Sequence, residues 1–203
     1  MSKFQLVLFD IGEVIVKWRD TWLYHVVSEK FSIPEKTLTI ECEKEIVNLH
    51  TGKIHENEFW RKIGKKTNSL ELQKVRKSLI YDIFKEKAKL NIPILKIVQS
   101  IQESKIKVGV LSNLEKTTHT ILEEFGLLDR FEFQFYSHKI GFAKPDKRLF
   151  KYVLDNVPFS SSEIFFIDDK ISNVRIANSI GIKSVQHENA KKLRQDLKNY
   201  KIL

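Results

Sequence analysis

The sequence predicts an α/β protein, a parallel sheet into which a helical segment is inserted, and three observations carry that reading. Short apolar runs stop at polar residues in three places: Phe4–Phe9 at Asp10, Val108–Leu111 at Ser112 and Asn113, and Ile164–Ile167 at Asp168 and Asp169. A run of that length, too short for a helix with its own apolar face, reads as a strand buried on both sides. From Ile92 onward such strands alternate with helical segments, the pattern of parallel strands joined by right-handed crossovers. Between Asp20 and about Leu90 there is no strand signal, only charged segments with apolar residues at helical spacing.

The first strand delivers Asp10 to its carboxyl end, where ligands bind in open α/β sheets. Gly12 just beyond it permits a tight turn. Alone, an apolar run followed by Asp and Gly is an ordinary strand entering a turn. The inserted segment then reads as four or so helices, carrying Trp22, Val26 and Val27; Ile40, Ile46 and Val47; Phe59 and Ile63; and Leu70, Leu72, Val75 and Leu79. Turn residues at Ser32–Pro34 and Thr51–Gly52 separate them, and Trp22 and Trp60 offer the lobe a small core of its own. These boundaries give a core domain of residues 1–17 and 91–203 and a helical cap of residues 18–90. Pro93 suits the start of a helix over Ile94–Ile101. After the second strand, a helix over Leu114–Phe125 is stopped by Gly126. Phe131–Tyr136 reads as a strand, Lys147–Asn156 as a helix, Ser172–Ile180 as a helix ended by Gly181, Ile182–Val185 as a last strand, and Asn189–Tyr200 as a closing amphipathic helix.

Composition narrows the function classes. A chain of 203 residues with 42% hydrophobic and 30% charged side chains has room for one well-buried core and a small accessory lobe. Its net charge of +9 comes from lysines scattered among glutamates, and the densest basic cluster, Arg61–Lys66, is short. Diffuse charge of this kind sets solubility rather than a nucleic-acid footprint, and it is compatible with a small anionic substrate. Cys42 is the single cysteine, so no intramolecular disulfide and no all-cysteine metal site can form; its surroundings suit a thiol buried in a helix. No leader-like segment precedes Asp10, and no stretch approaches the about 18 apolar residues of a membrane span. A reducing, cytoplasmic setting is the expectation.

The three strand ends converge on one face of the sheet. Asp10, Asp168 and Asp169 brought together without cations would repel and raise one another's pKa. A divalent metal and a lysine are the natural compensators; hard carboxylate oxygens without His or Cys suit Mg²⁺, and Lys144 is the candidate ammonium. At this point the chain resembles the haloacid dehalogenase superfamily. FDIGEV, VLSN, GFAKPD and FIDDKISNV resemble its four signatures, in order and at its spacing, over nearly the whole chain. The nearest likeness is to bacterial sugar-phosphate phosphatases and the N-terminal phosphatase domains of soluble epoxide hydrolases. The resemblance implies a Rossmann-like core with an inserted helical cap and a Mg²⁺-dependent hydrolase of a small, sugar-phosphate-like phosphomonoester. It implies Asp10 as nucleophile, Ser112 and the Asn113 backbone as phosphoryl-oxygen holders, and Lys144 as the neutralising cation. It further implies Asp169 as a direct Mg²⁺ ligand, Asp168 acting through water or behind it, the Gly12 carbonyl as another ligand oxygen, and Asn173 orienting the acidic pair.

One departure matters. Most phosphatases of the superfamily carry a second Asp two residues after the nucleophile, as acid and then base; here that position is Gly12. Such a group is worth ~10²–10⁴ in rate, roughly 3–5 kcal/mol of barrier. An anomeric or acyl phosphate, which departs with little need of a proton, would suffer least. Glu13, His25 and Glu29 are the candidate replacements. His50 and His55 lack metal-ligand spacing and read as surface residues. Trp18, Trp22, Tyr24 and His25 are candidate leaving-group contacts, although Trp and Tyr at helical spacing also suit a core. Two rivals stand beside the phosphatase: a metal-free haloacid dehalogenase, which also lacks the second Asp but has no use for the Asp168–Asp169 pair, and a non-catalytic protein binding a phosphorylated ligand or a partner.

Overall fold

A computed structural model describes residues 2–203. The chain begins with β1 (Leu6–Phe9) and β2 (Val16–Lys17), then makes five helices, α1 (Asp20–Lys30), α2 (Glu35–His50), α3 (Glu56–Lys66), α4 (Leu70–Gln73) and α5 (Leu79–Lys87). After β3 (Lys89–Leu90) it alternates: α6 (Ile92–Glu103), β4 (Lys107–Ser112), α7 (Lys116–Glu124), β5 (Phe133–Tyr136), α8 (Ser137–Ile140), α9 (Lys147–Asp155), β6 (Ile164–Asp168), α10 (Ile171–Ser179), β7 (Lys183–Gln186) and α11 (Ala190–Asn199). The main sheet has five parallel strands in the order β5-β4-β1-β6-β7. The predicted α/β class, with its helical insertion, is therefore the observed one.

Strand β1 lies between β4 and β6, with Phe9 level with Val110 on one side and Ile167 on the other. Its four side chains are fully buried. Alternation sends them to opposite faces. Leu6 and Leu8 join an apolar layer with Leu149, Phe150 and Val153 of α9 and Ala177 of α10. Val7 and Phe9 join another with Ile97 and Ile101 of α6, Ile121 of α7 and Leu197 of α11, and that layer runs on into the inserted helices through Leu23, Leu38, Phe59 and Trp60. Because the three strands are adjacent and in register, the residues that end them are neighbours: Asp10 after β1, Ser112 at the end of β4 and Asp168 at the end of β6.

Several elements differ from the sequence reading, for local reasons. The segment from Leu70 to Leu79 is two helices, because Ser69 and Ser78 each accept a hydrogen bond from the N–H three residues on and so cap two separate starts. Helix α7 starts at Lys116 rather than Leu114, since the Glu115 carboxylate caps it through the Thr118 N–H. Strands β2 and β3 form an antiparallel pair only two residues long on each side, below any periodic signal. They bring the two ends of the insert together, and Asn91 reinforces the join by donating to the Val14 carbonyl. Trp60 is buried, its indole N–H donating to Glu56; Trp22 is 39% exposed and packs edge-on against Trp18 instead of filling the lobe. Buried Glu56 also accepts from the Ile80 N–H and the Thr117 hydroxyl, which ties the insert to α7.

The close fit of the sheet to its neighbours is testable at Gly109 in β4. A Cβ there would stand 2.6 Å from the Phe133 carbonyl oxygen and 2.9 Å from Leu8 Cδ2, with backbone on one side and packed core on the other. Gly109→Ala is expected to lower stability by about 1–3 kcal/mol, read as a lower urea midpoint at unchanged slope.

Candidate active site

Asp10 follows the last residue of β1 and is almost fully buried. Its Oδ1 accepts from the Ile11 N–H at 2.7 Å, from the Ser112 hydroxyl at 2.7 Å, and from Lys144 Nζ at 3.0 Å. Oδ2 accepts no hydrogen bond from the described residues. The plane of the carboxylate is thus set from one oxygen, leaving the other with its lone pairs free.

Lys144 is the cation of this centre. With a side chain 1% exposed, it directs its ammonium to the Leu111 carbonyl and Asp168 Oδ2, both at 2.7 Å, and to Asp10 Oδ1. Three N–H donors meet three acceptors, which is what a buried ammonium requires. Burial on its own would push this lysine down, but the Asp10 and Asp168 charges outweigh it and hold it above the usual lysine range. The loop carrying it is clamped to the end of β4 by Asn113, whose Oδ1 accepts from the Lys144 N–H at 2.7 Å and whose Nδ2 donates to the Lys144 carbonyl at 2.8 Å.

Asp168 has no free oxygen. Oδ1 accepts from Asn173 Nδ2 and the Lys170 N–H, both at 2.8 Å, and Oδ2 holds Lys144. Asp169, half-buried, lines the cavity instead. Burial, then the Asp10 and Asp168 charges, raise its carboxyl to about 6. Asp10 is likewise raised by burial, against the pull of Lys144. Oxygens of Asp10, Asp168 and Asp169 all lie within 4.8 Å of one another. Three carboxylates against one ammonium leave an excess of negative charge in a poorly solvated spot. A donor set of carboxylate oxygens only fits a hard dication such as Mg²⁺.

These groups open onto a cavity of about 410 Å³ lined from the sheet side by Asp10, Gly12, Ser112, Asn113, Lys144 and Asp169 and from the insert by Trp18, Tyr24, His50 and Phe84. All of the residues singled out in the sequence as a phosphate centre are brought together. Of the candidate replacements for the missing acid, Glu13 lines the cavity and the other two do not. Glu13 has a left-handed backbone (φ 57°) and its carboxylate is paired with Arg19 at 2.6 Å. His25 and Glu29 lie outside the cavity, His25 being exposed and bonded to Glu35 at 2.9 Å. Trp22 does not reach the cavity either. His55 is exposed as expected, but His50 is not a surface residue: its ring faces the cavity within 4 Å of Asp20 and Glu115. Sequence reasoning also missed Asp20 and Glu115. The one signal for Glu115 was its place three residues after Ser112. Cys42 is buried, and burial raises its thiol.

A buried Asp–Lys–Asp array at the carboxyl ends of a parallel sheet, covered by inserted helices, defines a capped α/β hydrolase built around a carboxylate. The chain belongs to the haloacid dehalogenase-like hydrolases, whose family pattern matches residues 7–186. It is 24% identical over 201 residues to drimenol cyclase drtB of Aspergillus calidoustus, covering 95% of this chain but only 36% of that protein's length. It is 24% identical over 185 residues to sesquiterpene phosphatase astK of Aspergillus oryzae, covering 89% and 88% of the two chains. Shorter stretches, each 32% identical, match D-ribitol-5-phosphate phosphatase of Bacteroides thetaiotaomicron and rat bifunctional epoxide hydrolase 2, the two kinds of relative that the sequence resembles. Its fold superposes on a magnesium complex of the haloacid dehalogenase family enzyme bt-2542 from Bacteroides thetaiotaomicron with a TM-score of 0.79 at 20% identity, over 95% and 99% of the chains. No helix among the described residues is long and apolar enough to cross a membrane.

The raised Asp169 has a thermodynamic consequence. Its folded pKa of about 6 exceeds the ordinary carboxylate value, so in the metal-free protein the folded state binds more protons than the unfolded one between about pH 4 and 6. That contribution to stability is lost as pH rises through about 6. In EDTA, the melting temperature of Asp169→Asn should exceed that of the parent above this pH, with the gap closing on acidification.

Proposed function

We propose that the protein is a Mg²⁺-dependent phosphomonoester hydrolase that acts on a small, sugar-phosphate-like metabolite through an aspartyl-phosphate on Asp10. The observation that carries this reading is the Asp10 carboxylate, with Oδ1 held by three donors and Oδ2 unbonded, facing the same cavity as Asp169. Oδ2 attacks phosphorus, the bond from phosphorus to the ester oxygen breaks, and its electron pair leaves on that oxygen, which takes a proton from solvent water. Water then hydrolyses the acyl phosphate and returns Asp10 to the carboxylate. Splitting one hard displacement into two easier ones is the gain from the covalent step.

Lys144 counters negative charge on the phosphoryl oxygens as they approach a carboxylate, and does so from a fixed position. Ser112 and the Asn113 backbone hold those oxygens, while the Asn113 side chain positions Lys144. Asp10, Asp169 and the Gly12 carbonyl are the residues that would hold Mg²⁺, which when bound supplies Lewis-acid charge to the phosphoryl group. Asp168, its oxygens already taken by Asn173, Lys170 and Lys144, orients the lysine from behind. The phosphatase names of relatives, and the presence of every charged member of the array, favour phosphate-ester hydrolysis over dehalogenation or a binding-only role.

Three measurements test this. Phosphate release should require Mg²⁺, stop in EDTA and vanish in Asp10→Asn, and the parent should bind beryllofluoride at Asp10. Release that persists without metal, or chloride release from chloropropionate, would overturn the reading. Gly12 offers a gain-of-function test, because a Cβ there would meet only the Trp18 carbonyl oxygen at 3.7 Å, an ordinary contact. Gly12→Asp should therefore fold and raise turnover of alkyl phosphates by about 10²-fold, as an added general acid does, with a smaller gain for acyl phosphates.

A further inference from the structure

The insert side of the cavity holds polar groups that phosphoryl transfer does not use. Glu115, 6% exposed, accepts the N–H and hydroxyl of Thr118 on Oε1. Its Oε2 accepts no hydrogen bond from the described residues; His50 Nε2 stands 3.8 Å from it, beyond bonding distance. The same His50 nitrogen is 3.9 Å from Asp20 Oδ2. Tyr24, 2% exposed, lines the same cavity, and its hydroxyl has no hydrogen-bond partner among the described residues. Burial and the carboxylates of Asp20, Glu43 and Glu115 raise this phenol, so it stays protonated. Both groups line the cavity with hydrogen-bonding capacity unused, so a molecule seated there can supply the partner.

The charges on this wall have one sign. Asp20, Glu43 and Glu115 contribute carboxylates, with His50 between two of them. The cavity's cations stand elsewhere: Lys144 is bound to Asp10 and Asp168, Arg19 is paired with Glu13, and Lys170 is exposed beside Asp169. A phosphate therefore finds cations at the strand ends, while the group it is attached to faces acceptors and a phenol.

Building on the phosphatase reading, we propose that Asp20, Tyr24, His50 and Glu115 form the leaving-group subsite and select phosphomonoesters of uncharged, hydroxyl-rich alcohols. Hydroxyl groups donate to the free carboxylate oxygens and exchange hydrogen bonds with the phenol and imidazole. A second phosphate or a carboxylate on the leaving group meets the carboxylates of this wall, and a hydrocarbon offers the cavity's oxygens no hydrogen bond. A volume of about 410 Å³ suits a compact polyol or sugar.

The test compares kcat/KM with Mg²⁺ for three six-carbon substrates, sorbitol phosphate, phosphogluconate and hexyl phosphate, in the full chain. Sorbitol phosphate should be preferred over each of the others by at least about tenfold, as expected of a site with polar groups to satisfy. Glu115→Gln and Asp20→Asn should shrink the preference over phosphogluconate severalfold, and Tyr24→Phe the preference over hexyl phosphate. Equal efficiencies in the parent, or a preference for either competitor, would overturn the subsite while leaving the phosphatase intact. Absence of phosphate release from all three, together with no beryllofluoride adduct on Asp10, would refute the phosphatase and the subsite with it. The ratios in the parent stand even where a variant fails to fold.

Discussion

The Lys144 ammonium, held between Asp10 and Asp168 with almost no access to water, is the interaction on which the rest of the site depends. Two carboxylates at this depth are tolerable only because one cation touches both, and breaking a buried pair by removing one partner typically costs about 3–5 kcal/mol. Much else in the site serves that contact. Asn113 clamps the loop that carries the lysine, the Leu111 carbonyl accepts its third N–H, and Asn173 and the Lys170 N–H hold Asp168 from the far side. The array is already hydrogen-bonded together without substrate, the arrangement in which preorganised charge lowers a barrier.

Topology supplies the convergence. With β1 between β4 and β6, residues distant in the chain are brought to one edge by strand registration alone. The central strands are buried on both faces, and the polar residues sit where the strands stop. Asp169 then stands one residue beyond β6, raised by burial and by its acidic neighbours. The remaining imbalance of charge is what a dication would relieve.

The insert is coupled to this centre rather than merely set above it. Glu56 joins α3 and α5 to α7, and Ser137 accepts from the Leu114 N–H while donating to the His50 carbonyl at the end of α2. These ties place His50 and Tyr24 against the cavity and make its wall partly core and partly insert. One apolar layer continues from the sheet through the inserted helices, so packing and polar contacts hold the insert in the same position.

The order of strands and helices was legible in the sequence because burial periodicity and turn chemistry are local, and because a strand's last residue is fixed by where its apolar run ends. Asp10, Ser112, Lys144 and Asp168 could be assembled from that rule and from family likeness. The break between Ser69 and Ser78 was local too, and the two serines were its signal. Tertiary structure alone decided the rest. Glu13 lines the cavity paired with Arg19, His25 is turned outward, His50 reaches the cavity, and one oxygen of Glu115 is left without a partner. No spacing rule predicts these outcomes, since each depends on how the insert packs on the sheet and brings together side chains that the covalent chain keeps apart.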